Sequence, residues 1–360
     1  MSHDYDVIVL GQGLAGTAVA WQLRWRGERV LVIDREAEVT SSTVAAGLIT
    51  PVTGQRLVVS WRFADFWSSA LAFYRRVEAE TQMPCFRETP MVRIVADQGE
   101  QAVLHQRLTT RDFSPLVRQP PSPALIDAHF QSDAAAFEML TAGQLDVPTY
   151  LRTSRACFSQ TGGYLATDVH LPDDVQLTAD GVSLPRVGVT AQQLVFCQGI
   201  AATTNPWFHA VQFRPAKGEI LTLRIPGLEE SRVVHRGVWL ASGTDGLYRC
   251  GATYEWQTLD TVPTAAGRVE IEQRLQRFLR CPYDVVDQQA AVRPIHRQQY
   301  PVIGRHPKFP ALGYLNGLGS KGTLQAPALA NELIRVMSGG DVFDPRCDLN
   351  RWTELRGCHP

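Results

Sequence analysis

Gly11-Gln12-Gly13-Leu14-Ala15-Gly16 is an arrangement that brings a diphosphate against the backbone. The first glycine permits a tight turn, the second lets a pyrophosphate approach, and the third allows a helix to pack closely on a strand. A helix beginning at Leu14 and Ala15 aims free N–H groups and the positive end of its dipole at such a ligand. Eighteen residues after Gly16 stands Asp34, followed by Arg35. A carboxylate there accepts from ribose hydroxyls and repels a 2′-phosphate, which points to FAD or NAD rather than NADP. Without that context the six residues also fit a plain glycine-rich turn.

Three further stretches carry chemistry. In Ser41 to Pro51 (SSTVAAGLITP) the small residues Ala45, Ala46 and Gly47 let backbone approach a flat ring or a diphosphate. Pro294 holds Arg293 extended, so its guanidinium either clamps a carboxylate in bidentate fashion or makes an ordinary surface ion pair. Gly317 to Thr323 (GLGSKGT) is a second glycine-rich turn before a helix, with Pro327 expected in the first turn. Such a helix start stabilises negative charge, as on a reduced flavin around N1 and the C2 carbonyl, or it is only a loop and cap. Of the nine histidines, His296 alone is placed near a pocket, with a backbone-satisfied loop residue as the alternative.

These residues need elements to position them. Asp6–Leu10 reads as a strand, Leu14–Arg26 as a helix and Arg29–Ile33 as a second strand, a βαβ unit within 34 residues. Helices are expected at 61–80, 149–160, 268–279 and 326–337, a buried strand at 194–197, and a loop over the Pro-rich stretch 115–123. From Phe213 to Tyr254 strand-like segments recur between turns, which predicts an antiparallel sheet. The expected fold is α/β: a Rossmann-like domain assembled from 1–85, 145–205 and 285–345, and a second domain on an antiparallel β-sheet from 86–144 and 206–284. Residues 346–360 form a C-terminal tail.

The chain has 360 residues, is 44% hydrophobic and 20% charged, and carries a net charge of −1. That composition supports a large core and leaves no electrostatic excess to neutralise a phosphate backbone, so no nucleic-acid partner is expected. Seven cysteines without any C-x-x-C suggest neither a disulfide framework nor a zinc site, and no metal is expected. No signal peptide or transmembrane segment is read near the N-terminus, and the expected location is cytoplasmic.

GQGLAG with Asp34, AAGLITP, LVFCQG, GATYEW, RPIHRQQYPVIG and GLGSKGTLQAP occur in an order that resembles the D-amino-acid-oxidase-like FAD-dependent oxidoreductases. The likeness is to their glycine-oxidase-like members and to the C-terminal flavin domain of the bifunctional bacterial tRNA-wobble-uridine enzymes. The region from Phe86 to Leu140 shows little of it. The resemblance implies a non-covalent FAD with Gly11, Gly13, Leu14, Ala15 and Gly16 at the pyrophosphate and Asp34 and Arg35 at the adenosine ribose. It also places Ser41, Ser42, Ala46, Gly47 and Gly199 along the cofactor, and Gly319, Ser320, Lys321, Gly322 and Thr323 at the pyrimidine end of the flavin. Arg293 matches the arginine that holds a substrate carboxylate. Arg249 falls where relatives of the sarcosine oxidase type carry a lysine that helps oxygen accept electrons, though strand alternation could turn it to solvent.

Departures from the family pattern bear on the substrate. Trp239 stands where many relatives have a tyrosine, without the hydroxyl. The R-P-x-T-x-D pattern loses its acid in Arg293 to Gln298, and the insertion Pro51 to Trp61 points away from glycine itself. Where covalent relatives tether the flavin through a cysteine, this chain has Ala291. The expected reaction is oxidation of the C–N bond of an amino acid or secondary amino acid by hydride transfer to flavin N5, then imine hydrolysis. Oxygen or another acceptor would reoxidise the flavin. Flavin-dependent processing of a modified tRNA base and a non-catalytic dinucleotide-binding subunit stay open as alternatives.

Overall fold

Strand Tyr5–Leu10, helix Leu14–Arg24 and strand Val30–Asp34 form the expected βαβ unit, the two strands pairing in parallel from Val7↔Val30 to Leu10↔Ile33. The structure, a computed structural model, describes residues 3–119, 129–130, 135–244 and 246–357. Residues 120–123 of the Pro-rich stretch lie outside them; within 114–118 the chain makes a short 3₁₀ turn and a two-residue strand rather than a loop.

Strand Val189–Phe196 pairs in parallel with 5–10, and strand Leu312–Asn316 pairs in parallel with 189–196. Because these strands are parallel, Leu10, Ile33, Phe196 and Tyr314 align at one carboxyl edge of the sheet. The loops that follow them, at 11–16, 34–36, 197–199 and 317–321, therefore meet there, where open α/β sheets bind ligands. Helices 14–24 and Gly322–Met337 cover this sheet, helix Phe63–Thr81 packs on 322–337, and Leu324, Leu329 and Leu333 join Trp21, Phe66 and Tyr74 in one core cluster.

Helix 322–337 starts four residues earlier than its sequence predicts, so Pro327 sits inside it. Proline there leaves the carbonyl four residues back without its helical donor. The buried Tyr74 hydroxyl donates to that Thr323 carbonyl at 2.8 Å, which repairs the loss from the neighbouring helix.

The second sheet has eight strands among the described residues, ordered 284–293, 216–224, 248–251, 238–242, 233–236, 91–94, 136–139 and 117–118. It is antiparallel except for the parallel pair Val233–Arg236 with Met91–Ile94. Strand Asp284–Arg293 pairs here with Ala216–Arg224, so a division at 285 cuts through a strand of this layer. Residues 346–357 are not a loose tail: they form short 3₁₀ turns whose Cys347, Leu349 and Leu355 are buried.

Candidate functional site

Between the carboxyl edge of the first sheet and the facing side of the second lies a cavity of about 1070 Å³. Gly11, Gly13, Leu14, Ala15, Asp34, Arg35, Ser41, Ser42, Ala46, Gly47, Gly199 and Gly319 to Thr323 all line it, as do Arg293 and Trp239. Gly16 and Arg249 do not.

Gly11, at φ +103°, has no room for a side chain, since a Cβ would fall 2.5 Å from the Cys197 carbonyl oxygen. A Cβ on Gly16 would fall 1.8 Å from the Gly11 carbonyl oxygen, so Gly16 serves the close approach of helix to loop and touches the cavity only through it. Asp34 accepts from Gln12 N at 2.6 Å with one oxygen and from Glu36 N at 2.8 Å with the other. Its carboxylate therefore fixes the glycine loop and keeps one lone pair per oxygen for ribose hydroxyls. Ser42 Oγ accepts from Leu14 N at 3.1 Å and ties segment 41–47 to the helix start. Gly47, at φ +71°, lies where a Cβ would fall 1.9 Å from the Leu145 carbonyl oxygen.

Sequence reasoning misses part of this wall. Gln12 donates to Leu151 O and accepts from Arg155 Nε at 2.7 Å, and Arg155 pairs with Glu36. Helix Val147–Gln160 brings Arg152 and Arg155 to the cavity at helical spacing, but no motif marks them. His296 is buried outside the lining, 4.3 Å from the Phe213 ring and tight against Gly317. Neither of its ring nitrogens has a partner among the described residues.

Lys321, the N-cap residue of helix 322–337, reaches Ser60 Oγ at 3.4 Å, and burial pushes its ammonium down to about 8. A half-buried cation at a helix start, with no anion beside it among the described residues, fits an electron-rich ligand edge. Arg293 donates to Thr253 O at 3.2 Å and stands 4.3 Å over the Tyr254 ring. Burial draws its guanidinium below the ordinary arginine value, and no carboxylate pairs with it among the described residues. A Cβ at Gly218 would fall 2.0 Å from Arg293 Nη2, so that glycine leaves the space the guanidinium occupies.

Arg249 does not turn to solvent. Its two terminal nitrogens donate to Val44 O at 2.7 Å and Ala45 O at 2.9 Å, bolting the second sheet to segment 41–47. Trp239 pairs across the strands with Gly251 and His235 and shares their cavity-facing side. No helix among the described residues is long and apolar enough to cross a membrane, and none of their His, Cys, Asp and Glu side chains cluster in threes that could hold a metal.

A dinucleotide fits these residues: the glycine cradle has no space for side chains, and at the other end stand cations without an anionic partner among the described residues. The cysteines do not favour a tether. Cys197 lines the cavity but its thiol is pushed up by burial, while Cys281 rests 3.2 Å from His129 away from the lining. Acid precipitation of the yellow protein is expected to release all the colour into the supernatant; colour in the pellet would refute non-covalent binding.

Residues 6–335 match the DAO family, described as FAD dependent oxidoreductase. Glycine oxidase of Bacillus licheniformis is 22% identical, with 95% of this chain and 95% of the relative covered. The crystal structure of glycine oxidase from Geobacillus kaustophilus superposes with a TM-score of 0.81 at 19% identity, covering 97% of this chain and 99% of that one. Iminodiacetate oxidase from Chelativorans sp. BNC1 gives a TM-score of 0.74 at 19% identity over 96% and 98%. At these identities the structural likeness carries the fold.

Proposed function

The chain belongs to the DAO family of FAD-dependent oxidoreductases, and on that premise we propose that it oxidises the C–N bond of an amino acid or secondary amino acid. The observation that carries this reading is Arg293, a half-buried guanidinium on the cavity wall whose partners among the described residues are carbonyl oxygens and the Tyr254 ring. A substrate carboxylate would complete it with two parallel N–H···O bonds. FAD, when bound, accepts the hydride that leaves the substrate carbon.

The protein's own contribution is placement. Arg293 and Tyr254 hold the carboxylate end, and Trp239 supplies a flat apolar wall. The amine must be neutral to release the hydride, and its lone pair becomes the C=N bond. Water then adds to that bond and releases the amine and a 2-oxo acid. The glycine cradle with Asp34 would hold the adenosine and diphosphate, and Lys321 at its helix start would face the flavin edge. The test is product analysis: one 2-oxo acid and one amine or ammonia should appear for each two electrons delivered. Reduction of the acceptor without an oxo acid would contradict the reading.

Arg249 is proposed to aid reoxidation, because its charge is fixed against the two carbonyls of segment 44–45. In Arg249→Met, stopped-flow reoxidation by oxygen is expected to slow by about tenfold to a hundredfold, with the reductive half-reaction changed less. An unchanged reoxidation rate would leave Arg249 a structural bolt only.

A further inference from the structure

On the cavity side of the second sheet, cross-strand register lays out one continuous row: Arg93 opposite His235, His235 opposite Trp239, Trp239 opposite Gly251, and Gly251 opposite Ile220. Arg293 stands on the far strand, five strand steps from Arg93, or about 24 Å between strand axes at the usual spacing of about 4.8 Å. Register offsets the ends further, because Ile220 pairs with Gln289 and Arg293 lies four residues along that strand, so the two ends are separated by far more than a glycine spans. Between the two ends the cavity side of the sheet carries Ala291, Ile220, Gly251 and Trp239, an apolar wall.

The Arg93 end is a built polar site. Arg93 is 6% exposed, and its Nη2 donates to Glu100 and, at 3.0 Å, to the Gly54 carbonyl in the turn of hairpin 52–59. Its Nη1 has no partner among the described residues, and its buried Nε has none either. His235 lines the same end, with Nδ1 shut away unpartnered and no group among the described residues bonded to Nε2. Burial and the neighbouring Arg93 hold His235 down to about 3, so the ring is neutral across the physiological range. Glu100 cancels the charge of Arg93. What remains is a pair of nitrogen groups without net charge, which would desolvate a carboxylate without compensating it but would satisfy a neutral oxygen.

We propose that Arg93 and His235 form a distal subsite that receives a neutral hydrogen-bond acceptor, a carbonyl or amide oxygen, on a side chain running from the Arg293 end across Trp239. The proposal rests on the reading of Arg293 as the carboxylate anchor. It makes the substrate an extended amino acid rather than glycine.

The test uses the FAD-loaded enzyme and amine-free probes that cannot be oxidised: ω-amide monocarboxylates from succinamate to pimelamate, the alkanoates and dicarboxylates of matching length, and acetate. Kd is read from the shift of the flavin absorbance band. At one length the amide should bind about tenfold to a hundredfold tighter than the alkanoate, and the dicarboxylate should gain less than the amide. His235→Phe, and independently the paired Arg93→Met with Glu100→Gln, should remove that preference while acetate binds as before. Equal binding of amide and alkanoate at every length overturns the subsite, as does a preference that survives both variants. A dicarboxylate that outbinds the amide overturns its neutral character. Failure of the anchor reads differently: acetate would then bind equally to native protein and Arg293→Met.

Discussion

Replacing Arg293 by Met is expected to lower kcat/KM on the oxidised amino acid by about 30-fold to several thousand-fold, the usual cost of about 2 to 5 kcal/mol for truncating one member of a buried charge pair. FAD binding should be unaffected. Lys at this position should restore only part of the loss, because a point charge does not reproduce the planar fork. Gly218→Ala provides a second route to the same result with the arginine retained, since the added methyl would occupy the position of Arg293 Nη2. The atoms it meets are the end of a flexible side chain, so the fold should survive while the guanidinium is displaced. Steady-state kinetics and FAD titration of the three variants check this. Normal kcat/KM in Arg293→Met would refute the carboxylate role and favour an amine lacking a carboxylate.

The second large effect belongs to the cofactor end. In Gly16→Ala the new methyl would sit 1.8 Å from the Gly11 carbonyl oxygen, and the loop is held in place by the Gly11 N–H donating to Ile33 O at 2.8 Å. Helix 14–24 must then move off the strand that feeds it. Overpacking of this kind costs about 1 to 3 kcal/mol or more, so Kd for FAD should weaken by about 100-fold. Gly199→Ala is the comparison: Gly199 lies at φ +57°, a methyl there would meet nothing within 4 Å, and only backbone strain opposes it. Flavin fluorescence titration should rank Gly16→Ala far below Gly199→Ala. Equal affinities would mean that the close helix approach does not shape the FAD site.

The βαβ unit and its glycines are legible in the sequence because a local rule governs them: strand, tight turn and helix start lie within a few residues, and parallel pairing alone carries Gly11, Asp34, Gly199 and Gly319 to one edge. Arg293 is legible through its proline neighbour. Arg93 and His235 are not, because their meeting depends on the pairing of residues 91–94 with 233–236, a register set by contacts some 140 positions apart in sequence. Period-two alternation assigns Arg249 to a face but does not say what covers it; the covering segment is 44–45, from the other layer. The start of helix 322–337 reads too late because Pro327 signals a first turn, and the compensating donor, Tyr74, belongs to a different helix.

Whether this FAD-dependent oxidoreductase takes a hydride from an amino acid anchored on Arg293 is decided in the absence of oxygen. The FAD-loaded protein is mixed anaerobically with amino acids and N-methyl amino acids of graded length, and the flavin absorbance at about 450 nm is followed. At least one compound bearing a carboxylate should bleach the band, and Arg293→Met should slow that bleaching while its FAD content stays normal. Bleaching by simple amines as readily as by their carboxylated counterparts, or at the same rate in the Arg293→Met protein, would contradict hydride transfer from an Arg293-anchored amino acid.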